Sequence, residues 1–218
     1  MAVLVDQFWK MRLEKCKIAL EKNQFEVFLA DSAASASKTV LEDILPNTRG
    51  KTVSWGDSMT LHATRILEAL RRDSRFEVLV TFDPGVSREE LIERRRSALL
   101  VDVFLTGTNA VTETGTLVNL DMIGNRVAGI TFGPRHVIIL VGRNKIVPDL
   151  TEAMRRIKNY SAPVNVIRHP GFKAPCAKTA LCADCKSTDR ICNAWTIIER
   201  SFPRGRIKVV LINRDLGL

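Results

Sequence analysis

Four cysteines lie close together near the C-terminal end of the chain, in the order Cys176-x5-Cys182-x2-Cys185-x6-Cys192. Four thiolates on a short irregular stretch can converge on one inorganic centre. Zinc gathers four sulfurs into a tetrahedron, and a cubane takes one thiolate per iron. Lys178, Lys186 and Arg190 outnumber Asp184 and Asp189 among them, and cationic neighbours favour thiolates. The spacing is neither the two-pair zinc-ribbon pattern nor the bacterial ferredoxin run. A 4Fe-4S cluster is the leading reading. Structural Zn, and thiols left reduced or paired as disulfides, stay open beside it. The fifth cysteine, Cys16, stands alone on the apolar stripe of an N-terminal helix, where packing is its expected role.

A second constellation runs from Thr106 to Gly142. Thr106, Gly107, Thr108 and Asn109 let a backbone come close to a ligand with polar side chains beside it. Thr112, Glu113, Thr114, Gly115 and Thr116 repeat that chemistry. Upstream, Trp55-Gly56-Asp57-Ser58-Met59-Thr60 reads as strand, turn and helix start, a place where free N–H groups can hold an anion. The plainer reading is that Ser58 or Thr60 only caps the helix. A small acid would sit among Gly56, Ser58, Thr106–Asn109, Gly115 and Thr116. His136 is placed to act as a general base, its plainer reading being a rim histidine. Arg135 and Arg143 could pair with a carboxylate or phosphate. His62, Arg94–Arg96 and His169 read as surface, solvated and loop residues.

These residues need a scaffold, and the periodicity supplies one. Helices are expected over 2–22, 35–45 (ended by Pro46), 58–72, 87–99 and 149–159. Strands are expected over 25–30, 51–54, 76–81, 101–105, 111–120, 127–132, 137–141, 164–168 and 207–213. The early alternation of strand and helix argues for a parallel α/β sheet. The three apolar runs from 111 to 141 leave no evident room for helices and should pair antiparallel or mixed, within or beside that sheet. Composition breaks near Pro170, so the expected division is an α/β domain over 1–168 and a Cys-rich metal-binding segment with a closing strand over 169–218.

The formal net charge of +9 on 218 residues points to a basic surface with an anionic metabolite or partner. No aromatic-interleaved basic patch supports nucleic-acid binding. No apolar run reaches the ~18–20 residues of a membrane span, and the N-terminal stretch carries charges within its apolar part, so a cytoplasmic protein is expected. The oligomeric state has no signature in the sequence.

The motifs TGTNAVTETGTLV (106–118), NRVAGITFGPRHVIILVGRNKIV (125–147) and WGDSMTL (55–61) resemble the lactate-utilisation (LUD) domain family over about residues 1–168. The resemblance implies a three-layer α/β/α core with a mixed sheet, similar to ribose-5-phosphate isomerase and the CoA transferases, here with a small Cys-rich C-terminal appendage. It further implies oxidative metabolism of a small, lactate-like acid with an iron–sulfur or other redox partner protein. Because transferases of that fold use a glutamate nucleophile, Glu113 becomes a candidate catalytic residue. Its other reading is a hydrogen-bonding residue that orders adjoining loops. Isomerase or CoA-transfer chemistry on an anionic substrate is the alternative function, and a non-catalytic subunit with structural Zn is another.

Overall fold

The computed structural model describes residues 2–218. Helix α1 (Ala2–Lys22) leads into β1 (Glu26–Ala30). Next come α2 (Ala33–Lys38) and α3 (Leu45–Thr48), joined by a wide π turn, and then β2 (Thr52–Trp55). Helices α4 (Met59–Ala63) and α5 (Ile66–Arg72) precede β3 (Glu77–Val78), α6 (Arg88–Ser97) and β4 (Val103–Gly107). A hairpin of β5 (Ala110–Thr112) and β6 (Leu117–Asp121) is followed by α7 (Asn125–Thr131), β7 (His136–Gly142), β8 (Ile146–Val147), α8 (Leu150–Arg156) and α9 (Ala162–Ile167). The chain closes with α10 (Cys176–Thr179), β9 (Ala194–Ile198) and β10 (Ile207–Ile212).

Six strands form a wholly parallel sheet in the order β1-β10-β7-β4-β2-β3, and the other four form a mixed sheet ordered β8-β5-β6-β9. In the large sheet, Ile138, Leu140, Val210 and Ile212 face a core built with α2 to α5. The alternate residues, Val137, Ile139, Val141, Val209 and Leu211, face α1 and the inner side of the small sheet. Burial on both faces explains why β7 and β10 read as unbroken apolar runs. This is the expected three-layer α/β/α order. The antiparallel pairs, however, all sit in the second sheet.

Two expected strands are helices. Residues 125–131 form α7, burying Arg126, Val127, Gly129 and Ile130 on one side. A run of seven residues could follow either period, and parallel pairing of β4 with β7 demands a crossover between them. Residues 162–167 form α9, which continues α8 through a π turn, with Pro163 in the first turn where its missing N–H leaves no gap. Pro46 likewise sits inside a last helical turn rather than ending the helix. The 58–72 helix is broken at Arg65, whose φ is 57°. Strands β8 and β9 carried too little pattern to be read.

Strand β10 is inserted between β1 and β7, and β9 pairs with β6. Residues 169–218 therefore contribute a strand to each sheet, and the Cys-bearing stretch is the connection from α9 to β9.

The β5–β6 turn is clamped on α1. Gly115, at φ +84°, leaves its absent Cβ only 2.7 Å from the Ala19 carbonyl carbon. Gly115→Ala combines a left-handed strain with a backbone clash and should lower stability by about 2–4 kcal/mol, read as a reduced urea midpoint at unchanged slope.

Candidate metal centre and the rim beside it

Cys176, Cys182, Cys185 and Cys192 all line one small, partly open pocket, together with Pro163, Lys158 and Arg190. All four are free thiols. Cys176 opens α10, and the chain then doubles back through Ala180 (φ 56°) and Asp184 (φ 44°). Two left-handed non-glycine residues so close together store backbone strain, a feature that gathers at functional loops. Arg190 holds the loop by donating to the carbonyls of Cys185, Asp184 and Cys192. Lys158 and Arg190 share the Asp184 carboxylate, at 2.7 and 3.0 Å. Asn193 ties the end of the loop to the Asp121 and Met122 carbonyls.

The thiols sense one another. Burial pushes Cys176 up, and Cys185 and Cys182 push it further. Burial also raises Cys192, with Lys158 and Arg190 opposing and Cys182 and Cys176 reinforcing. Four thiolates this close repel unless a multivalent cation sits among them. Cys16 differs: burial, with Glu113 nearby, pushes it up to about 12, consistent with a packing role under α1. Among the described residues, no group of three or more His, Cys, Asp or Glu side chains is placed to hold a metal ion.

The polar rim expected to hold an acid is split. Gly56, Ser58, Thr106, Gly107, Thr108 and Asn109 meet at the C-terminal edge of β2 and β4, but their polar atoms largely serve one another. Ser58 caps α4 through the Leu61 N–H. Thr106 donates to the Gly56 carbonyl at 3.4 Å. Thr108 donates to the Ala110 and Val118 carbonyls, and the Asn109 amide oxygen accepts from Leu120 N and Arg126. Gly115 and Thr116 lie instead on the hairpin turn, where the Thr116 N–H bonds Thr112 Oγ1.

Glu113 and His136 are not brought together. Glu113 sits on the hairpin turn, ion-paired with Arg12 and with Lys15 at 3.3 Å. Burial alone would raise its carboxyl, yet Lys15 and Arg12 hold it below the usual range. It fastens the turn to α1. His136 opens β7 opposite Val103, at the N-terminal edge of the sheet. Four residues at about 3.3 Å each put that edge about 13 Å from Gly107. Its Nδ1 is buried without a partner, and burial, then Lys208, pushes its pKa down. Arg143 pairs with Asp215 at 2.9 Å, while Arg135 is exposed at the far edge beside Asp102. Asp57, the polar residue of the β2–α4 turn, pairs with Arg168 and with His62 at 3.2 Å, tying that turn to the start of the Cys-bearing loop.

Two residues that matter here had no role assigned from sequence. Arg126 is buried, and its guanidinium donates to Asp121, Asn119, Asn109 and the carbonyls of Gly107 and Leu120. Lys145 is 4% exposed and donates to the Thr108 carbonyl at 3.0 Å. Burial, then the nearby charges of Arg156 and Arg126, lowers its pKa to about 7. Arg126 stands just before the run 127–132 that reads as strand, although its position on the buried side of a helix is visible once the period is taken as 3.6.

Residues 13–212 match the LUD domain family. The chain belongs to the LUD domain family. A solved structure similar to this LUD protein is that of a DUF162 family protein from Deinococcus radiodurans, at a TM-score of 0.52 and 13% identity, covering 95% of this chain and 98% of that one. At that identity the likeness speaks to fold alone. The eIF2B beta structure from Chaetomium thermophilum overlaps 55% of this chain and 43% of its own at a TM-score of 0.35 and 19% identity, too low to argue from. No curated protein matches the sequence.

Arg126→Met should cost about 3–5 kcal/mol, because the Asp121 carboxylate and four further buried acceptors lose their donor together; chemical denaturation reads it. Lys145 predicts a pH effect of definite sign. Below about pH 7 both states hold its proton, and the folded state bears the buried charge. Between about 7 and the unfolded value of ~10.4 the folded state releases that proton while the unfolded chain keeps it, so stability rises with pH. The difference between wild type and Lys145→Met should therefore shift in favour of wild type by on the order of 2–4 kcal/mol between pH 6.5 and about 10, measured in denaturant under reductant.

Proposed function

We propose that this LUD protein is an iron–sulfur subunit in the oxidative metabolism of a small, lactate-like organic acid, with one 4Fe-4S cluster held by Cys176, Cys182, Cys185 and Cys192. The observation that carries the reading is that all four cysteines line one pocket, flanked by Lys158 and Arg190. A cubane takes one thiolate at each of four iron corners, whereas zinc draws four sulfurs to about 2.3 Å of one ion. When bound, the cluster would supply one-electron transfer.

The chain's own part is definite. Lys158 and Arg190 offset the negative charge that four thiolates bring. Arg190 fixes the carbonyls on either side of Cys185 and Cys192. The apolar wall of Val166, Ala174 and Ile191 beside three of the cysteines limits water, which tunes a cluster's potential. With four cysteines there is ligation for one such cluster, so electrons must pass to or from a partner protein. Five free cysteines suit a reducing, cytoplasmic setting. Among the described residues no helix is long and apolar enough to cross a membrane. Membership of the LUD family supports the organic-acid role. Glu113, fastened to α1 by two cations, gives the CoA-transfer reading no support.

Anaerobically purified or reconstituted protein should carry about four iron and four sulfide per chain, with a broad visible absorbance that bleaches on reduction. Cys185→Ser should lose most of that iron while keeping its helical circular dichroism. One zinc per chain with no iron and no sulfide would sink the redox reading.

A further inference from the structure

Two neighbouring parallel strands leave the large sheet and enter the small one side by side. Strand β4 passes through Thr108 and Asn109 into β5, and β7 passes through Arg143–Lys145 into β8; β5 and β8 are again parallel neighbours. Lys145 lies at this double joint. Its amine meets one acceptor, the Thr108 carbonyl, so two of its three N–H donors have none among the described residues. Arg126 and Arg156 are its charged neighbours. Arg156 donates to the Asn144 and Asn109 carbonyls and to Ser161, and it has no carboxylate partner among the described residues. Lys145, Arg126 and Arg156 thus lie together with one carboxylate, Asp121, which is paired with Arg126; the β7–β8 joint also holds Arg143, whose carboxylate partner is Asp215. A buried ammonium without a counter-charge costs several kcal/mol. As a mere staple between the joints it would be a poor choice, since a neutral donor would bond Thr108 as well.

What covers the amine is backbone. Residues 214–218 cross the C-terminal edge of the sheet as an irregular strap. The Leu216 carbonyl accepts from Thr60 Oγ1 at 3.0 Å, and the Leu216 N–H donates to Asn144 Oδ1 at 3.0 Å. At Gly217 (φ +68°) an added Cβ would lie 2.4 Å from Thr60 Oγ1 and 3.2 Å from Lys145 Nζ. The strap approaches the amine most closely where it has no side chain, and it is held by hydrogen bonds to Thr60, Arg143 and Asn144 and by the Arg143–Asp215 ion pair. In sheets of this kind ligands bind at the carboxyl ends of the strands, near the point where the strand order reverses. Here that point is the crevice at β2 and β4, which the strap borders.

We propose that Lys145 anchors a buried seat for the carboxylate of a small organic acid, and that the strap 214–218 occupies this seat until the acid displaces it. The choice of a small monocarboxylate rests on the organic-acid role proposed above; the seat itself rests on Lys145, its cationic neighbours and the strap. A bound carboxylate stabilises the charged amine, so binding above neutral pH takes up a proton. The strap competes, so anything that loosens it tightens binding.

The test is titration calorimetry on the full chain with L-lactate and with pyruvate, near pH 8, in two buffers of different ionisation enthalpy. At least one acid should bind with proton uptake. Lys145→Met, and Lys145→Gln, which keeps a donor for Thr108 but not the charge, should each weaken binding at least tenfold and abolish the uptake. Asn144→Ala, which removes the strap's bonds from Asn144 to Leu216 and Gly217, should tighten it several-fold. Unchanged affinity in both Lys145 variants, or binding of neither acid to wild type and Asn144→Ala, would overturn the seat. Unchanged affinity in Asn144→Ala alone would overturn the competing strap. Iron and sulfide measured on the same samples separate the two proposals. Lys145-dependent binding in protein that takes up no cluster would leave the seat standing, and a full cluster with Lys145-independent binding would remove the seat alone.

Discussion

Arg126 is the interaction on which the rest of this structure hangs. A guanidinium has five N–H donors in a rigid fork, and here they reach Asp121, Asn119, Asn109 and the carbonyls of Gly107 and Leu120. Those acceptors belong to the end of β4, the loop beyond it and the whole C-terminal half of β6. One side chain therefore fixes how the large parallel sheet meets the small mixed one. The cost of burying its charge is offset by Asp121 and by complete hydrogen bonding, the condition under which a buried ion pair holds. It also explains why the Thr–Gly–Thr–Asn loop offers so little to a ligand: its polar atoms are already engaged in making that junction.

The Cys-bearing loop is hung from the same junction. Asn193 bonds the Asp121 and Met122 carbonyls at the end of β6, β9 then adds to β6, and Arg168 pairs with Asp57 at the β2–α4 turn. The Cys-bearing loop is thus anchored at both ends to the edge where the two sheets meet. Lys158, in the π turn that joins α8 to α9, faces the thiols, while Arg156, two residues earlier, faces the Asn109 carbonyl. A single helical bend separates the thiol cavity from the joint that holds Lys145, so the two polar regions share a wall.

Much of this was legible from residue order. Helix α1, the buried strands β7 and β10 and the helix cap at Ser58 follow from period, apolar run and side-chain chemistry. The cysteine spacing reads as a cluster, and all four cysteines do line one pocket. The misreadings have one physical cause. Residues 125–131 and 162–167 are short apolar runs, for which a period of 2 and one of 3.6 predict nearly the same pattern; the topology of the parallel sheet, which needs a crossover, decided for helix. The rim failed for a different reason. Threonine, asparagine and glycine suit a ligand's polar groups and a neighbouring backbone equally well, and only three-dimensional pairing shows which one they meet.

By itself the sequence determined the local and the chemical: where helices cap, which strands are buried on both faces, and that four sulfurs lie within reach of one another. Those properties depend on residues close in the chain. Tertiary structure alone decided which distant groups share a low-dielectric interior. It set Glu113 against α1, sent His136 to the opposite edge of the sheet, and buried Lys145 at a joint between two sheets with arginines for company. The reason is that a charge takes its meaning from the groups around it, and here those groups come from segments tens of residues apart.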